Sequence, residues 1–386
     1  MLKEKNIIYV QYTNPACYPP LMHSSRLLAD RLWKVYFFGT RSLGQSNLLE
    51  MESHPNISSK QFSYYHGGPA KKINYLWFIF SALTTVFRKK PGWIYASDPF
   101  SCPPALLSKK IFKTKVIYHE HDFPHTKDPS IFMKIVFWFR KVMAAQADIC
   151  ILPNKERKDK FDKEIHASRL KSVSVFNCPL KEEASIKKTD KGKDGISVVY
   201  HGSVGPNRIS LKVLEAIALI PESIKLKIIG YETAGYRGYA EEIRKKACSI
   251  GIADRVTVAG VITTREKLLM ECRKHDIGLS LVSSKSSDRN ELSMAGASNK
   301  AFDYMACGLA VIVSDSTAWQ KMYVEPGYGV SCDPNSVESM AKALRYFIEH
   351  PAKIREMGEL GRQRILKDWN YEYQFAPVLK TMEPDD

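Results

Sequence analysis

The chain has 386 residues, 44% hydrophobic and 25% charged, so it is too long for one ordinary core and too apolar to be largely disordered. Its net charge of +16 is lopsided: residues 1–190 carry 30 Lys and Arg against 16 Asp and Glu, while 191–386 carry 27 against 25. A basic first half suggests an anionic partner (a nucleic acid, a membrane surface or a phosphorylated substrate), the bland alternative being a soluble basic surface.

In chain order, β-branched runs fall at 6–12 (NIIYVQY), 35–39, 93–97 (WIYAS), 115–121 (KVIYHEH), 147–154 and 173–177. Segments of helical length lie between them, such as SSRLLADRL and FMKIVFWFRKVMAAQ. This alternation predicts an α/β domain with a parallel sheet covered by helices. The stretch LKEEASIKKTDKGKDG is charged and nearly free of apolar residues, and reads as a linker. The alternation then restarts at 196–202, 225–230, 256–260, 277–282 and 309–315, and WNYEYQFAPVLKTM suits a final helix. The expected organisation is a Rossmann-like domain over 1–180, a linker over 181–195, a second Rossmann-like domain over 196–366 and a C-terminal helix over 367–386. Ligands of two such doubly wound domains are expected beyond the carboxyl ends of the strands, in a cleft between the domains.

The longest apolar run, INYLWFIFSALTTVF over 73–87, is short of the roughly 20 residues that span a bilayer. Flanked by Lys71, Lys72 and Arg88–Lys90, it reads as a buried helix, or else as a helix lying on an anionic membrane. The opening MLKEKNIIYVQY has too short an apolar core for a signal peptide. The eight cysteines form no C-x-x-C pair, which argues against a disulfide framework and a structural zinc site. A cytoplasmic protein is expected, peripheral at the inner face of the cell membrane if the second reading of 73–87 holds.

Polar groups just after strands are the candidate sites. In VVYHGSVGPNRISLK, the strand ends in His201-Gly202-Ser203; Gly202 and Gly205 allow backbone N–H groups to approach a phosphate, and a helix expected from Ile209 would add its N-terminal dipole. Arg208 and Lys212 then share one helical face, a diphosphate clamp in one reading and two solvated cations on a turn in the other. The loop is neither G-x-G-x-x-G nor a Walker loop. In ASNKAFDYMACGLAVIVSD, Ser298 or Asn299 is an N-cap, Lys300 opens the helix, and Asp303 lies one turn on, where a carboxylate could accept ribose hydroxyls or simply be exposed. In KVIYHEHDFPH, His119, Glu120, His121, Asp122 and His125 cluster at a strand end; no metal-ligand set stands out. Asn14, Tyr18 and Asp98 follow earlier strands, either as ordinary turn residues or as part of a pocket.

Residues 298–312 resemble the nucleotide-sugar signature of GT-B glycosyltransferases of the retaining family 4 type, S-N-K-x-F-[DE]-Y-M-A-x-G-x-x-V-I. The resemblance implies two Rossmann-like domains, an acceptor bound by 1–180, a donor bound by 196–366, and a C-terminal helix that packs back on the first domain. It implies that Arg208 and Lys212 meet the donor diphosphate, that Gly202, Ser203, Gly205, Ser298, Asn299 and Lys300 line the donor site, and that Asp303 meets the ribose. His121, with His119 second, would face the donor sugar, and Asn14, Tyr18, Asp98 and Asp122 would shape the acceptor pocket. One departure stands out: the first acid of the family's E-x7-E falls at Ala295, and Glu291 lies off that spacing. The function implied is a retaining, metal-independent hexosyl transfer from a UDP- or GDP-sugar, with no further cofactor, to a saccharide or lipid-linked acceptor in surface polysaccharide or glycolipid assembly. A UDP-sugar 2-epimerase of the same fold is the alternative. A nucleic-acid-binding protein is the remote one, because aromatics do not interleave with the basic residues.

Overall fold

The computed structural model describes residues 5–41, 44–62, 68–124, 128–167, 170–186, 195–220, 224–233, 235–283 and 288–383, with backbone alone over 68–71. His125 of the strand-end cluster lies outside the described residues. The chain divides into two compact units, one of Met1–Ser42, Met51–Phe176 and Gln374–Asp386, the other of Leu43–Glu50 and Asn177–Tyr373.

Among the described residues, the first unit is built on seven parallel strands: β1 (Asn6–Gln11), β2 (Lys34–Thr40), β3 (Ile57–Phe62), β4 (Trp93–Ser97), β5 (Lys115–His119), β6 (Ile149–Leu152) and β7 (Ser172–Ser174). They lie in the order β3-β2-β1-β4-β5-β6-β7. β3 was not legible in the sequence because ISSKQF is an edge strand with little apolar content and mostly exposed side chains. The core of this unit gathers Ile8, Val10, Ile94 and Val116 from the strands and Phe78, Leu106 and Met143 from the helices. The final helix, Tyr371–Met382, begins in the second unit and ends in the first. There Glu383 pairs with Lys5 and accepts a 2.8 Å bond from the Trp33 indole.

Among the described residues, the second unit has six parallel strands: β8 (Ile196–Val204), β9 (Ile224–Glu232), β10 (Val256–Gly260), β11 (Ile277–Ser280), β12 (Ala310–Ser314) and β13 (Gly329–Cys332). Their order is β10-β9-β8-β11-β12-β13. Its own core packs Val198, Leu226, Ile228 and Ile312 against Leu214, Ile243 and Phe347. In each sheet the strand order therefore reverses once, between β1 and β4 and between β8 and β11, and ligands of doubly wound sheets bind at such points.

Two expectations change. The stretch 181–195 is not all linker: Lys181–Ser185 is a helix, because Glu183 folds back on the Leu180 amide at 2.7 Å and binds Arg265. Residues 187–194 lie outside the described part. The helix expected from Ile209 starts at Lys212, after β8 runs two residues further than expected and a turn closes through the Arg208 amide on the Gly205 carbonyl. Among the described residues, no helix is long and apolar enough to cross a membrane.

The close approach of β8 and β9 sets up the second site. Gly202 and Gly230 face each other in register with φ of +118° and +153°. A Cβ on Gly230 would lie 1.7 Å from the Gly202 carbonyl oxygen. Gly230→Ala should therefore destabilise the protein by roughly 2–3 kcal/mol or more, through overpacking plus strain. Urea unfolding compared with the wild type measures this, and an unchanged midpoint would mean the strand ends separate freely.

Candidate functional site

In the second unit the end of β8 and the helix Asn299–Ala306 converge at the switch point. Lys300, in the first turn of that helix, lies along the strand end because Gly202 has no side chain; a Cβ there would sit 2.9 Å from the Lys300 Cε. Its ammonium lies 5.7 Å from the centre of the Tyr200 ring. Among the described residues it has no hydrogen-bonded acceptor. Burial, then the nearby Arg208, push its pKa down to about 8, while Asp303 opposes the shift. Arg208 leaves one guanidinium nitrogen, Nη1, buried without a partner, and its Nη2 is 3.7 Å from Glu291. Two cations thus converge with hydrogen-bonding capacity to spare, which is an arrangement that takes an anion. Ser298 precedes the helix in extended conformation, but its hydroxyl makes no capping bond.

Asp303 holds this corner together. Its carboxylate is fully buried and accepts two bonds from Arg265, at 2.6 and 3.3 Å, and one from the Asn299 amide at 2.9 Å. Arg265 also binds Glu183. His201 Nε2 stands 3.4 Å from the same carboxylate, and burial lowers its pKa to about 4 despite that charge. The Tyr304 hydroxyl accepts the His201 backbone N–H at 2.9 Å and so ties the helix to β8. Its ring fits over β11 because Gly278 is there; a Cβ would meet it at 2.1 Å.

In the first unit, Gln11, Thr13, Tyr18, Ser97, Asp98 and Asp122 surround a cavity of about 330 Å³ beyond β1 and β4. Its apolar wall includes Phe100, Phe123, Met133 and Phe137. Asp98 has φ +63° and ψ +168°, a region that glycine alone occupies readily. Its carboxylate accepts the His121 backbone N–H at 3.1 Å. Burial, then the neighbouring Asp122, push its pKa up to about 7. His121 bonds Ser97 Oγ at 3.0 Å, and its ring lies 4.8 Å from that of Tyr18. Burial and then Arg157 push the His121 pKa down to about 3, so the imidazole is neutral. Arg157 bonds the His121 carbonyl and reaches Asp122 at 3.2 Å.

Residues 210–380 match the family model described as "Glycosyl transferase-like". No curated protein sequence matches the chain. Sucrose-phosphate synthase from Thermosynechococcus elongatus superposes with a TM-score of 0.70 at 16% identity, covering 98% of each chain. Anabaena HepE in complex with UDP and glucose superposes at 0.71 and 14%, covering 98% of this chain and 99% of that one. α,α-Trehalose 6-phosphate synthase from Burkholderia multivorans gives 0.69 and 12%, covering 98% and 96%. The chain has the GT-B glycosyltransferase fold.

On that GT-B framework the sequence-derived residues separate. Gly202, Ser203, Gly205, Arg208, Asn299 and Lys300 gather at the β8 end and the start of helix Asn299–Ala306. Lys212 does not join them: its ammonium donates to the Asn335 carbonyl at 2.6 Å, because the helix starts at Lys212, three residues after Ile209. Asp303 is not open to a ribose, since its carboxylate is enclosed and bonded to Arg265 and Asn299. Arg265 and Glu183 were missed because nothing in their own segments signals a partner so distant in sequence. Glu291 lies off the E-x7-E spacing, yet the fold brings it, buried, to Arg208. In the first unit Tyr18, Asp98 and Asp122 share the cavity. Asn14 is instead a buried cap that accepts the Ala16 amide at 3.1 Å. His119 is a core residue, fully buried with Nδ1 against the Tyr95 hydroxyl at 2.6 Å, which removes it from contact with a ligand. Glu120 is likewise structural, clamped by Arg140 at 2.7 and 2.8 Å.

The raised Asp98 pKa has a stability consequence of definite sign. The unfolded carboxyl ionises near pH 4 while the native one holds its proton to about 7, so the contribution of the neutral form is lost as pH rises across that window. Asp98→Asn keeps the oxygen that accepts the His121 amide and cannot ionise. It should be more stable than the wild type by on the order of 1–3 kcal/mol at pH 8 and by clearly less at pH 5. Urea unfolding at both pH values measures this; a difference that does not depend on pH would refute the raised pKa.

Proposed function

We propose that the chain is a retaining glycosyltransferase that moves a hexose from a nucleoside-diphosphate sugar, UDP-linked in the first instance, to an acceptor hydroxyl. The observation that carries this reading is the pair Arg208 and Lys300 at the β8–β11 switch point, two partly enclosed cations with unfilled donors. The diphosphate would lie against both, with the glycine loop 202–205 and the amides at the start of helix Asn299–Ala306 as further donors. As the glycosidic bond breaks, negative charge grows on the bridging phosphate oxygen. Lys300 and Arg208 would stabilise that charge more than the ground state, so they would contribute to kcat and not merely to binding. Arg265 and Asn299 would act through Asp303 by fixing where Lys300 sits.

UDP and glucose are bound in the HepE structure, which supports UDP over GDP. The acceptor would enter the cavity beyond β1 and β4, where Asp98, Asp122 and Ser97 can take hydroxyl hydrogen bonds beside an aromatic wall. A cavity with two carboxyl groups disfavours a phosphate, so the reacting end of the acceptor is a neutral polyhydroxylated group. Retention and independence from metal rest on the family 4 resemblance of residues 298–312. A saccharide or lipid-linked acceptor, and with it a part in surface polysaccharide or glycolipid assembly at the inner face of the cell membrane, fits the same reading.

Thermal-shift titration with UDP, GDP and their sugars tests the donor site; saturation at 100 times Kd adds about 2.7 kcal/mol. With the ligand that stabilises the wild type, Lys300→Ala should lower kcat/KM by on the order of 10²-fold, as loss of one charge-stabilising donor does. Lys212→Ala should stay within about threefold, because that side chain is spent on Asn335. Equal effects of the two substitutions, or no nucleotide shift at all, would sink the assignment, and inverted anomeric configuration in the product by NMR would sink retention.

A further inference from the structure

Three helices form neighbouring elements of one layer on the first sheet: Gly68–Lys89, Cys102–Phe112 and Ile131–Gln146. Over their 22, 11 and 16 residues they carry nine Lys and Arg and not one Asp or Glu, although Lys109 pairs with Asp148 and Arg140 is buried against Glu120 and Glu164. The first buries Tyr75, Phe78, Ala82 and Val86 and turns Ile73, Leu76, Trp77 and Phe80 outward, each more than half exposed. Trp77 and Phe80 stack in the open, ring centres 5.5 Å apart. The third helix turns Ile131, Ile135 and Trp138 outward, again each more than half exposed. Lys72, Arg88, Lys110 and Lys134 have no acidic partner among the described residues. A solvated helix of the same unit behaves differently. Lys155–Ile165 pairs Lys158 with Asp162 and Lys160 with Glu156, and exposes no large apolar side chain.

Exposed Trp and Phe interleaved with uncompensated cations, on helices too short or too charged to insert, are the pattern of a surface that lies in the headgroup region of a bilayer. The charge argues for an anionic surface, because a second copy would bring its own cations against these. The third helix also connects this face to the cavity: Met133 and Phe137 line the cavity, while Ile131, Ile135 and Trp138 point outward.

We propose that the outer face of these three helices docks on an anionic bilayer and presents the cavity beyond β1 and β4 to a lipid-anchored hydroxyl acceptor. The acceptor half rests on the glycosyltransferase reading; the docking half does not.

Flotation of the full chain with vesicles of phosphatidylcholine, alone or mixed with phosphatidylglycerol, tests the docking. The protein should float with the mixed vesicles at low salt, float far less with phosphatidylcholine alone, and be released by high salt. Trp77→Ser with Trp138→Ser should lower partitioning to the mixed vesicles about tenfold or more. Lys110→Gln with Lys134→Gln should do the same, at roughly 1 kcal/mol per charge. The UDP-induced thermal shift should be unchanged in both variants, which shows that they fold. No flotation of the wild type at low salt, or equal flotation of wild type and variants, would overturn the proposal. So would a wild-type dimer by light scattering that the tryptophan variant dissociates, with no vesicle binding by either. A wild type that floats but shows no UDP shift would leave the docking face standing and remove the donor reading.

Discussion

The carboxylate of Asp303 is the point on which the second unit's site depends. It is fully buried, and a carboxylate in that position is tolerable only if its lone pairs are filled. Arg265 and Asn299 fill them, and His201 stands beside it as a neutral ring. Because Asn299 opens the helix and Arg265 comes from the helix Arg265–Cys272, one buried charge fixes where the helix starts relative to the sheet. Lys300 is the next residue. Its position beside Gly202 is therefore a consequence of the Asp303 network, and so is its proximity to Arg208. Glu183 completes the network from a helix before β8, so the charged segment after the first unit serves the site as well as joining the units.

Backbone space is the second constraint. Gly202 and Gly230 let two strand ends approach more closely than any side chain permits, and the room left above Gly202 is where the Lys300 chain runs. Gly278 does the same for the Tyr304 ring, whose hydroxyl holds the β8 backbone. Each glycine removes a Cβ so that a functional or anchoring side chain can occupy its place. The consequence is a preorganised pair of cations, Lys300 without a hydrogen-bonded acceptor among the described residues and Arg208 with Nη1 unpartnered beside its 3.7 Å contact with Glu291, so that an incoming anion meets little reorganisation.

Much of this was legible in the sequence. The β8 loop and the ASNKAFDYMACG segment were both identifiable, because strand, glycine turn and helix start are local patterns. So was the two-sheet α/β architecture, since buried parallel strands read as short β-branched runs. What was not legible depended on long-range packing. A three-residue error in the start of helix Lys212–Ala218 was enough to send Lys212 to Asn335 and leave Lys300 in its place beside Arg208. Asp303 looked available because a helical carboxylate usually is; only the partner Arg265, 38 residues away, makes it internal. β3 and β13 escaped because an edge strand needs little apolar signal. In the first unit, the strand-end cluster HEHD contained two structural residues, His119 and Glu120. Alternation along the strand end turns them toward Tyr95 and Arg140, away from the cavity.

The lopsided charge of the sequence also takes on a different meaning. A basic first half suggests a basic pocket, but the cavity of that unit is edged by two carboxyl groups, and the cation nearest them, Arg157, is committed to the His121 carbonyl and Asp122. Much of the excess positive charge lies instead on the outer helices: Lys109 pairs with Asp148 and the buried Arg140 with Glu120 and Glu164, but Lys72, Arg88, Lys110 and Lys134 have no acidic partner among the described residues. Within one unit the unpaired charges separate: carboxyls edge the cavity, where hydroxyl groups can be bonded, and the cations without acidic partners lie outside, beside exposed aromatics, while the buried Arg140 and Arg157 are committed to acceptors. Asp98 marks the inner pole. A residue other than glycine held at φ +63° persists only where the surrounding structure over-determines it, and here the His121 amide and the strand ends do so. The strain and the raised pKa point the same way. The fold keeps a carboxyl group at the floor of the cavity although both its backbone and its charge are costly there, and a neutral, hydroxyl-rich ligand is the kind of partner for which such a group is useful.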